Sequence, residues 1–493
     1  MYRSKAKIYM KHDKKRCKAS LFYLPVAYDG NLKYDIGYVY LRERYFTIME
    51  KRERLGSRLG FIMLSAGCAI GCGNVWKFPW ACGQNGGGSF MLIYIICLLV
   101  LGLPAMVMEL SVGRAAQTSP LYMYQKLSVN GKKWRPLGIV CLIGNIALIA
   151  FYSVVSGWII YYFVKFLIGQ NQNFGFEKMI ADPSVNVTYL LVTVIIAFVI
   201  LSFNLQGGLE RVTKYMMSAL IVLMLVLAIH SLTLQGAKEG LSFYLIPDFS
   251  KITGSVVVGA MNQAFFTLSV GMGGMAIFGS YIDKERSLLG ESANIIALDT
   301  FVAIVAGIIM FPACYTYGLE VNAGPSLLFD TMASVFNHMN GGRWWGALFF
   351  LFMVFAALST ILGVCENILA MIRELTGWSR PVGCLVCGIG SFLIALTTAL
   401  GYSVVHFQPF SKGTAWLDFW DFIVSTNVMP LGSLALALFC CNRFGWGWDN
   451  FIKEANAGKG WKVQAWMKPV FRYLVPAVIL FIYVYGMVTF KWK

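Results

Sequence analysis

Charge is scarce in this sequence. Of its 493 residues, 13% are Asp, Glu, Lys or Arg, against about 25% in soluble globular proteins. With 58% hydrophobic residues and a mean hydropathy of +0.64, that scarcity excludes an ordinary soluble protein and indicates an integral membrane one. Histidine is scarcer still. The four histidines are isolated and none forms a metal motif. The connections between apolar runs are too short to hold an enzyme domain, and no signal-peptide core precedes the first run. Twelve cysteines are scattered, mostly within apolar spans, and no outward-facing pair marks a disulfide. Cys384 and Cys387 form C-x-x-C, but inside a span of small apolar residues and without the second pair or histidines that a metal centre needs.

Long apolar runs are what the sequence does have. Eleven are expected to cross the bilayer, at about 20 residues each. They fall at roughly 59–80, 90–112, 136–168, 188–204, 211–235, 254–281, 290–318, 343–373, 380–400, 416–440 and 468–490. The net charge of +17 does not call for a nucleic acid, because Lys and Arg sit mainly in alternate connections. Arg114, Lys126, Lys132, Lys133 and Arg135, then Arg211 and Lys214, Lys284 and Arg286, Arg373 and Arg380, and Arg443 to Arg472 mark one side. The positive-inside rule makes that side cytoplasmic, together with the N-terminus, and ends the last span outside. Residues 1–50 form a basic, tyrosine-rich segment without a span. Met49 opens a cytoplasmic lead-in to the first span and is read as the true start, the alternative being a disordered tail. Asn186 opens an Asn-x-Thr sequon in a connection expected to face outward, and chance is its simplest source.

Two spans are broken by glycine. GCAIGCGNVWKFP, residues 67–79, interrupts the first, and TLSVGMGGMAIFGSY, residues 267–281, interrupts the sixth. Glycine and proline are poor residues for a continuous helix. Glycines in membrane helices commonly serve close packing, but here polar Asn74 and Thr267 accompany them. The breaks occupy matching positions in two sets of five spans. Irregular backbone at membrane depth is tolerated where it lines a cavity. Freed N–H groups there can meet an anion and freed carbonyls a cation. Paired breaks of this kind point to the central site of a transporter.

At these residues the chain resembles the neurotransmitter:sodium symporters. RLGFIMLSAGCAIGCGNVWKFPWACGQNGGGSF resembles the first-helix signature of that family. GLERVTKYMM at 208–217, NQAFFTLSVGMGG at 262–274 and WLDFWD at 416–421 resemble its later signatures, in order and at the family's spacing. The resemblance runs from about Arg52 to the C-terminus. It implies an all-α membrane protein of the LeuT-type fold, a 5+5 inverted repeat with helices 1 and 6 broken. Repeat one would span about 59–235, repeat two about 254–440, and helix 11 about 468–490, within a transporter domain of 51–493.

The resemblance further implies a substrate and two sodium ions bound halfway across the membrane, with no organic cofactor. One sodium would take the Ala69 carbonyl, Asn74, Thr267, Asp299 and the substrate carboxylate. The other would take the carbonyls of Gly67, Ile70 and Ala356 and the hydroxyls of Ser359 and Thr360. Oxygen ligands suit a hard cation, although Ser359 and Thr360 alone could simply bond backward to carbonyls of their own helix. The carboxylate would meet the N–H groups of Cys72 and Gly73 and the Tyr152 hydroxyl. Gly71 stands where monoamine-carrying relatives have aspartate, which implies an intact α-amino acid. Leu148, Phe266, Ser269, Met272 and Val364 would line an apolar side-chain pocket. Flexible Met272 favours a hydrophobic or aromatic substrate such as tyrosine, tryptophan or leucine.

Asp299 stands where chloride-dependent relatives have asparagine, which implies chloride-independent transport and leaves a proton counter-movement open. Lys77 and Asp421 would form an outer gate above Phe266, with Lys77 replacing the usual arginine and its bidentate fork. Arg52 and Glu374 would form an inner gate, near Leu55, where a tryptophan is usual. Either pair could instead be charges snorkelling to water. The resulting expectation is a sodium-coupled importer of an amino acid in the cell membrane, working by alternating access. It is not an enzyme and has no nucleic-acid partner. A membrane amino-acid sensor and an ion channel are the alternatives. Neither a signalling domain nor a ring of like charges accompanies the spans.

Overall fold

The computed structural model describes residues 53–129, 131–172, 175–319, 327–411 and 414–489. The segment 1–50, its Met49 start and Arg52 lie outside the described residues. Among those described, regular structure is helical apart from one isolated bridge between Arg286 and Lys459.

Among the described residues, nine helices are long and apolar enough to cross a bilayer, and a bent pair supplies a tenth span. The first span is α1 (Arg58–Ala69) followed, after a wider turn at Gly73–Lys77, by α2 (Phe78–Gln84). The two halves meet at 56°. Next come α3 (Gly88–Ala116), α4 (Gly131–Leu167), α5 (Pro183–Ser202) and α6 (Leu205–Ser231). The sixth span is broken into α7 (Gly254–Thr267) and the short α8 (Gly274–Gly279). Then follow α9 (Leu288–Tyr317), α10 (Gly342–Thr376), α11 (Arg380–Ala399) and α12 (Trp416–Cys441). A short α13 (Trp448–Ala455) and α14 (Ala465–Thr489) complete the chain.

The two breaks have local causes. Ser57 caps α1 by accepting from the Gly60 N–H at 3.0 Å. The helix stops where Ile70 turns extended, at ψ 103°. Beyond Thr267 the chain enters left-handed backbone at Ser269, Gly271 and Gly273, with φ of 51°, 100° and 78°. The two glycines adopt this without steric cost. A side chain on Gly271 would run into the Met429 carbonyl.

α10 is the central post. Some 83% of its apolar window is buried, against 28% for α14 at the periphery. It packs on α4, α1 and α6. α8 lies backbone to backbone on α3, because Gly113 faces the Ala276 carbonyl and Gly279 faces that of Leu110. This contact places Glu109 of α3 directly beneath the second break. One carboxylate oxygen accepts from the Gly271 N–H at 2.7 Å, and the other accepts from the Met275 N–H at 3.1 Å. Buried N–H groups released by an interrupted helix need such partners.

The side of the basic connections is closed by ion pairs. Glu53 accepts from Arg373 at 3.1 Å and from Arg380 at 3.3 Å. Arg380 also holds Glu366 at 2.5 Å, and Arg58 holds Glu291 at 3.0 Å. Glu210 accepts from the Gly56 N–H and the Ser57 hydroxyl at 2.7 and 2.8 Å. Arg114, buried at the end of α3, grips Glu454 at 2.7 Å. It thereby ties α13 to the transmembrane core. Asn186 corrects the sequence reading of an outward connection. It sits inside α5, 2% exposed, accepts from the Trp158 indole N–H at 2.6 Å, and its two amide hydrogens are shared among the carbonyls of Met179, Ile180 and Asp182. A glycan could not be attached to it in this fold.

Replacing Glu109 tests the support of the second break. Glu109→Ala strands two N–H groups, at about 1–3 kcal/mol each, and is expected to lower the melting temperature in detergent by several degrees. Glu109→Gln, which keeps one acceptor, should fall between it and the parent. A melting temperature unchanged in Glu109→Ala contradicts this role.

Candidate functional site

The break in the first span gathers oxygen atoms. Since α1 ends at Ala69, the carbonyls of Gly67 and Ile70 lack the partners that a continuing helix would give them. The Thr360 hydroxyl of α10 lies 3.4 Å from the Gly67 carbonyl, 3.2 Å from that of Ile70 and 3.4 Å from that of Ala356. A hydroxyl has one proton to donate, so it cannot satisfy three acceptors. A convergence of oxygen atoms of this kind can hold a hard cation. The neighbouring Ser359 hydroxyl bonds back to the Ala356 carbonyl at 2.9 Å, the ordinary behaviour of a helix serine. Both side chains are buried.

A second group lies on the other flank of the break. Asn74 donates to one Asp299 carboxylate oxygen at 2.9 Å, and Thr267 donates to the other at 3.1 Å. The Asn74 amide oxygen accepts from the Gly71 N–H at 3.2 Å. Asp299 is fully buried and, among the described residues, has no Lys or Arg partner. An ionised carboxylate without a cation is costly inside a protein, so this group is built for a positive charge or a proton. Ala69, the last residue of α1, brings its backbone to the same break.

Between the two groups the backbone of residues 71–73 is hemmed in closely. The Cys72 N–H donates to the Tyr152 hydroxyl at 2.9 Å. A Cβ on Gly71 would collide with that hydroxyl and with the Thr360 hydroxyl, and one on Gly73 would stand 2.9 Å from the Phe266 ring. Backbone N–H groups at an interrupted helix, with glycine permitting close approach, are chemistry that an anion can use. Leu148 and Tyr152 on α4, Val364 on α10 and Met272 in the second break are all buried. The Met272 sulfur lies 3.2 Å from where a Gly144 Cβ would be, which places this side chain against α4 one turn from Leu148.

The expected outer gate is not closed by an ion pair in this structure. The Lys77 ammonium stands 3.4 Å above the Phe266 ring centroid. Among the described residues it makes no ion pair within 4 Å with Asp421, whose carboxylate accepts from the Ser425 hydroxyl at 2.6 Å. Lys77, Phe266 and Asp421 instead line one cavity of about 350 Å³. A cation–π contact replaces the expected salt bridge because the ring lies nearer the ammonium than the carboxylate does. On the opposite side Arg52 lies outside the described residues. Glu374 accepts from the Ser119 N–H at 2.7 Å. Among the described residues, charge pairing on that side includes Glu53, Arg58 and Glu366, which the sequence reading passed over. It also passed over Glu109, Asn145, Asn367 and Gln263, which donates to the Gly73 carbonyl at 3.1 Å. The signal of Glu109 and Asn145 was present: each stands between apolar neighbours in an apolar run, where such residues carry function by default.

The profile of the sodium:neurotransmitter symporter family matches residues 52–173 and 170–493. The uncharacterized sodium-dependent transporter YhdH of Bacillus subtilis is 33% identical over 454 residues, covering 90% of this chain and 99% of that one. An uncharacterized sodium-dependent transporter of Haemophilus influenzae is 31% identical over 455 residues, covering 89% and 99%. The crystal structure of MhsT in complex with L-phenylalanine superposes with a TM-score of 0.79 at 34% identity, covering 88% of this chain and 99% of that one.

Gly71→Ala tests the crowding at the first break. The methyl must displace the Tyr152 or Thr360 hydroxyl, and overpacking costs about 1–3 kcal/mol. A melting temperature lowered by several degrees is expected, and an unchanged one contradicts the geometry.

Proposed function

The chain belongs to the sodium:neurotransmitter symporter family, and from that premise we propose that it imports an α-amino acid with a hydrophobic or aromatic side chain. It is a sodium-dependent, multi-pass membrane transporter of the LeuT fold. The observation that carries the proposal is the meeting of three features at the first break: the Thr360 oxygen cluster, the Asp299 group, and the Cys72–Tyr152 N–H surface between them.

In this reading sodium at the Asp299 group takes Ala69, Asn74, Thr267 and Asp299, and completes its shell with the substrate carboxylate. A second sodium sits among Gly67, Ile70, Ala356, Ser359 and Thr360. The carboxylate meets Cys72, Gly73 and Tyr152, and the side chain enters between Leu148, Phe266, Ser269, Met272 and Val364. MhsT holds phenylalanine, a ligand of the same class. The crowding at Gly71 supports an intact amino acid, since an aspartate there has no room. Asp299 supplies a negative charge from the protein, which supports transport without chloride.

Coupling follows from shared electrostatics. Sodium offsets the cost of burying the carboxylate, so each ligand tightens the other. At ~100 mV an entering charge gains about 2.3 kcal/mol, and a tenfold gradient adds about 1.4 kcal/mol per ion. Two ions therefore supply roughly 7 kcal/mol, sufficient for about 10⁵-fold accumulation of a net-neutral substrate. We read the made ion pairs of Glu53 and Arg58 and the separated Lys77 and Asp421 as one end of the alternating-access cycle. Closing the 350 Å³ cavity would bring the latter pair together, with the repeats of about 59–235 and 254–440 moving against each other.

Uptake of labelled tyrosine, tryptophan and leucine into proteoliposomes tests this directly. An inward sodium gradient should drive accumulation of at least one, a potassium gradient of none. Replacing chloride by gluconate should leave the rate intact, and a fall to background removes the assigned role of Asp299. Thr360→Val keeps the shape and deletes the hydroxyl. It should raise the sodium concentration for half-maximal uptake by about tenfold or more, the scale of a lost coordinating or supporting group. An unchanged sodium dependence contradicts the second site.

A further inference from the structure

Two asparagines that the transport cycle above does not use lie one helical turn beyond Leu148 on α4 and Val364 on α10. Asn145 of α4 is 1% exposed and Asn367 of α10 is 0% exposed. Asn145 donates to the carbonyls of Cys141 at 2.7 Å and Met272 at 2.8 Å. Asn367 donates to the Asn145 amide oxygen at 3.0 Å and to the Met272 carbonyl at 3.5 Å.

Their positions follow helix periodicity. On α4, Tyr152, Leu148 and Asn145 share one face at spacings of four and three residues; on α10, Thr360, Val364 and Asn367 do the same. The two helices pack on each other. They present matching rungs: Tyr152 with Thr360, Leu148 with Val364, Asn145 with Asn367. The first rung closes on Gly71, whose Cβ would touch both hydroxyls. The last is closed by the Asn367–Asn145 hydrogen bond. The middle rung is apolar. From Tyr152 to Asn145 the helix rises about 10 Å, a span for a long aromatic side chain rather than for leucine.

One atom in this floor is unmatched. The Asn367 amide oxygen is buried and has no hydrogen-bond partner among the described residues. Turning the amide over would set that oxygen against the Asn145 and Met272 oxygens, so the orientation is fixed by the network itself. A buried acceptor without a donor costs free energy, and a site with such a group discriminates against analogues unable to pair with it.

We propose that the Asn145–Asn367 pair is a polar floor selecting aromatic amino acids whose side chain ends in a donor, the indole N–H of tryptophan or the phenolic O–H of tyrosine, over phenylalanine and leucine. The Asn367 amide oxygen accepts that hydrogen. Asn145 is a positioning residue that holds Asn367 and the Met272 backbone. The inference rests on the amino-acid reading of the same site.

The test is competition against labelled tryptophan on the purified full-length chain in sodium, with potassium as control. Benzothienylalanine has the shape of tryptophan with sulfur in place of the indole N–H. It should compete about 10- to 100-fold less well than tryptophan, and phenylalanine correspondingly less well than tyrosine. Asn367→Leu should bring both ratios to about one. Equal competition within each pair in the parent protein overturns the proposal, as do ratios that survive in Asn367→Leu. If that variant binds nothing, the two parent ratios decide alone. Loss of sodium-dependent binding for every amino acid tried would instead overturn the amino-acid reading beneath it.

Discussion

An interrupted helix at membrane depth leaves backbone groups that neither lipid nor a next turn can satisfy. The rest of this structure is arranged around that constraint. At the second break Glu109 takes two N–H groups, while Asn145 and Asn367 take the Met272 carbonyl. At the first break Tyr152 faces the Cys72 N–H, Asn74 faces that of Gly71, and Gln263 takes the Gly73 carbonyl. What these side chains leave over are two carbonyls beside Thr360 and, at Asp299, a buried carboxylate without a Lys or Arg partner among the described residues.

The polar residues thus fall into two sets with different tasks. Glu109 and Asn145 hold the broken chain in place from the flank of α3 and α4. Asp299 and Thr360 face the gap with incomplete partner sets. The continuous, deeply buried α10 carries Thr360, Val364 and Asn367 on one face, which sets the spacing of the proposed cation site, pocket wall and floor. In the proposed cycle the breaks in α1/α2 and α7/α8 supply the groups that rearrange. Division between a stiff post and interrupted helices lets small local changes reach both sides of the membrane.

Much of this was legible in the sequence, for reasons that are physical. Glycine, proline and asparagine inside apolar runs announce a broken span, and both breaks fall where residues 67–79 and 267–281 placed them. Most span limits agree within a few residues, the fourth beginning earlier at Pro183 because Asp182 caps it. The individual site residues came from family resemblance, since a threonine such as Thr360 has no local signature. Partners set by tertiary approach were not legible. Lys77 sits over Phe266 rather than beside Asp421. Asn186 is a buried helix residue because Trp158 of α4 reaches it. In each case a neighbour distant in sequence decides the outcome.

The central claim is that cation and carboxylate share one site. Equilibrium binding of a labelled amino acid to the purified protein, with sodium replaced stepwise by potassium at constant ionic strength, tests it most directly. The account predicts that affinity rises with sodium and, reciprocally, that saturating amino acid tightens sodium binding by the same factor. Equal amino-acid affinity in sodium and in potassium would contradict it.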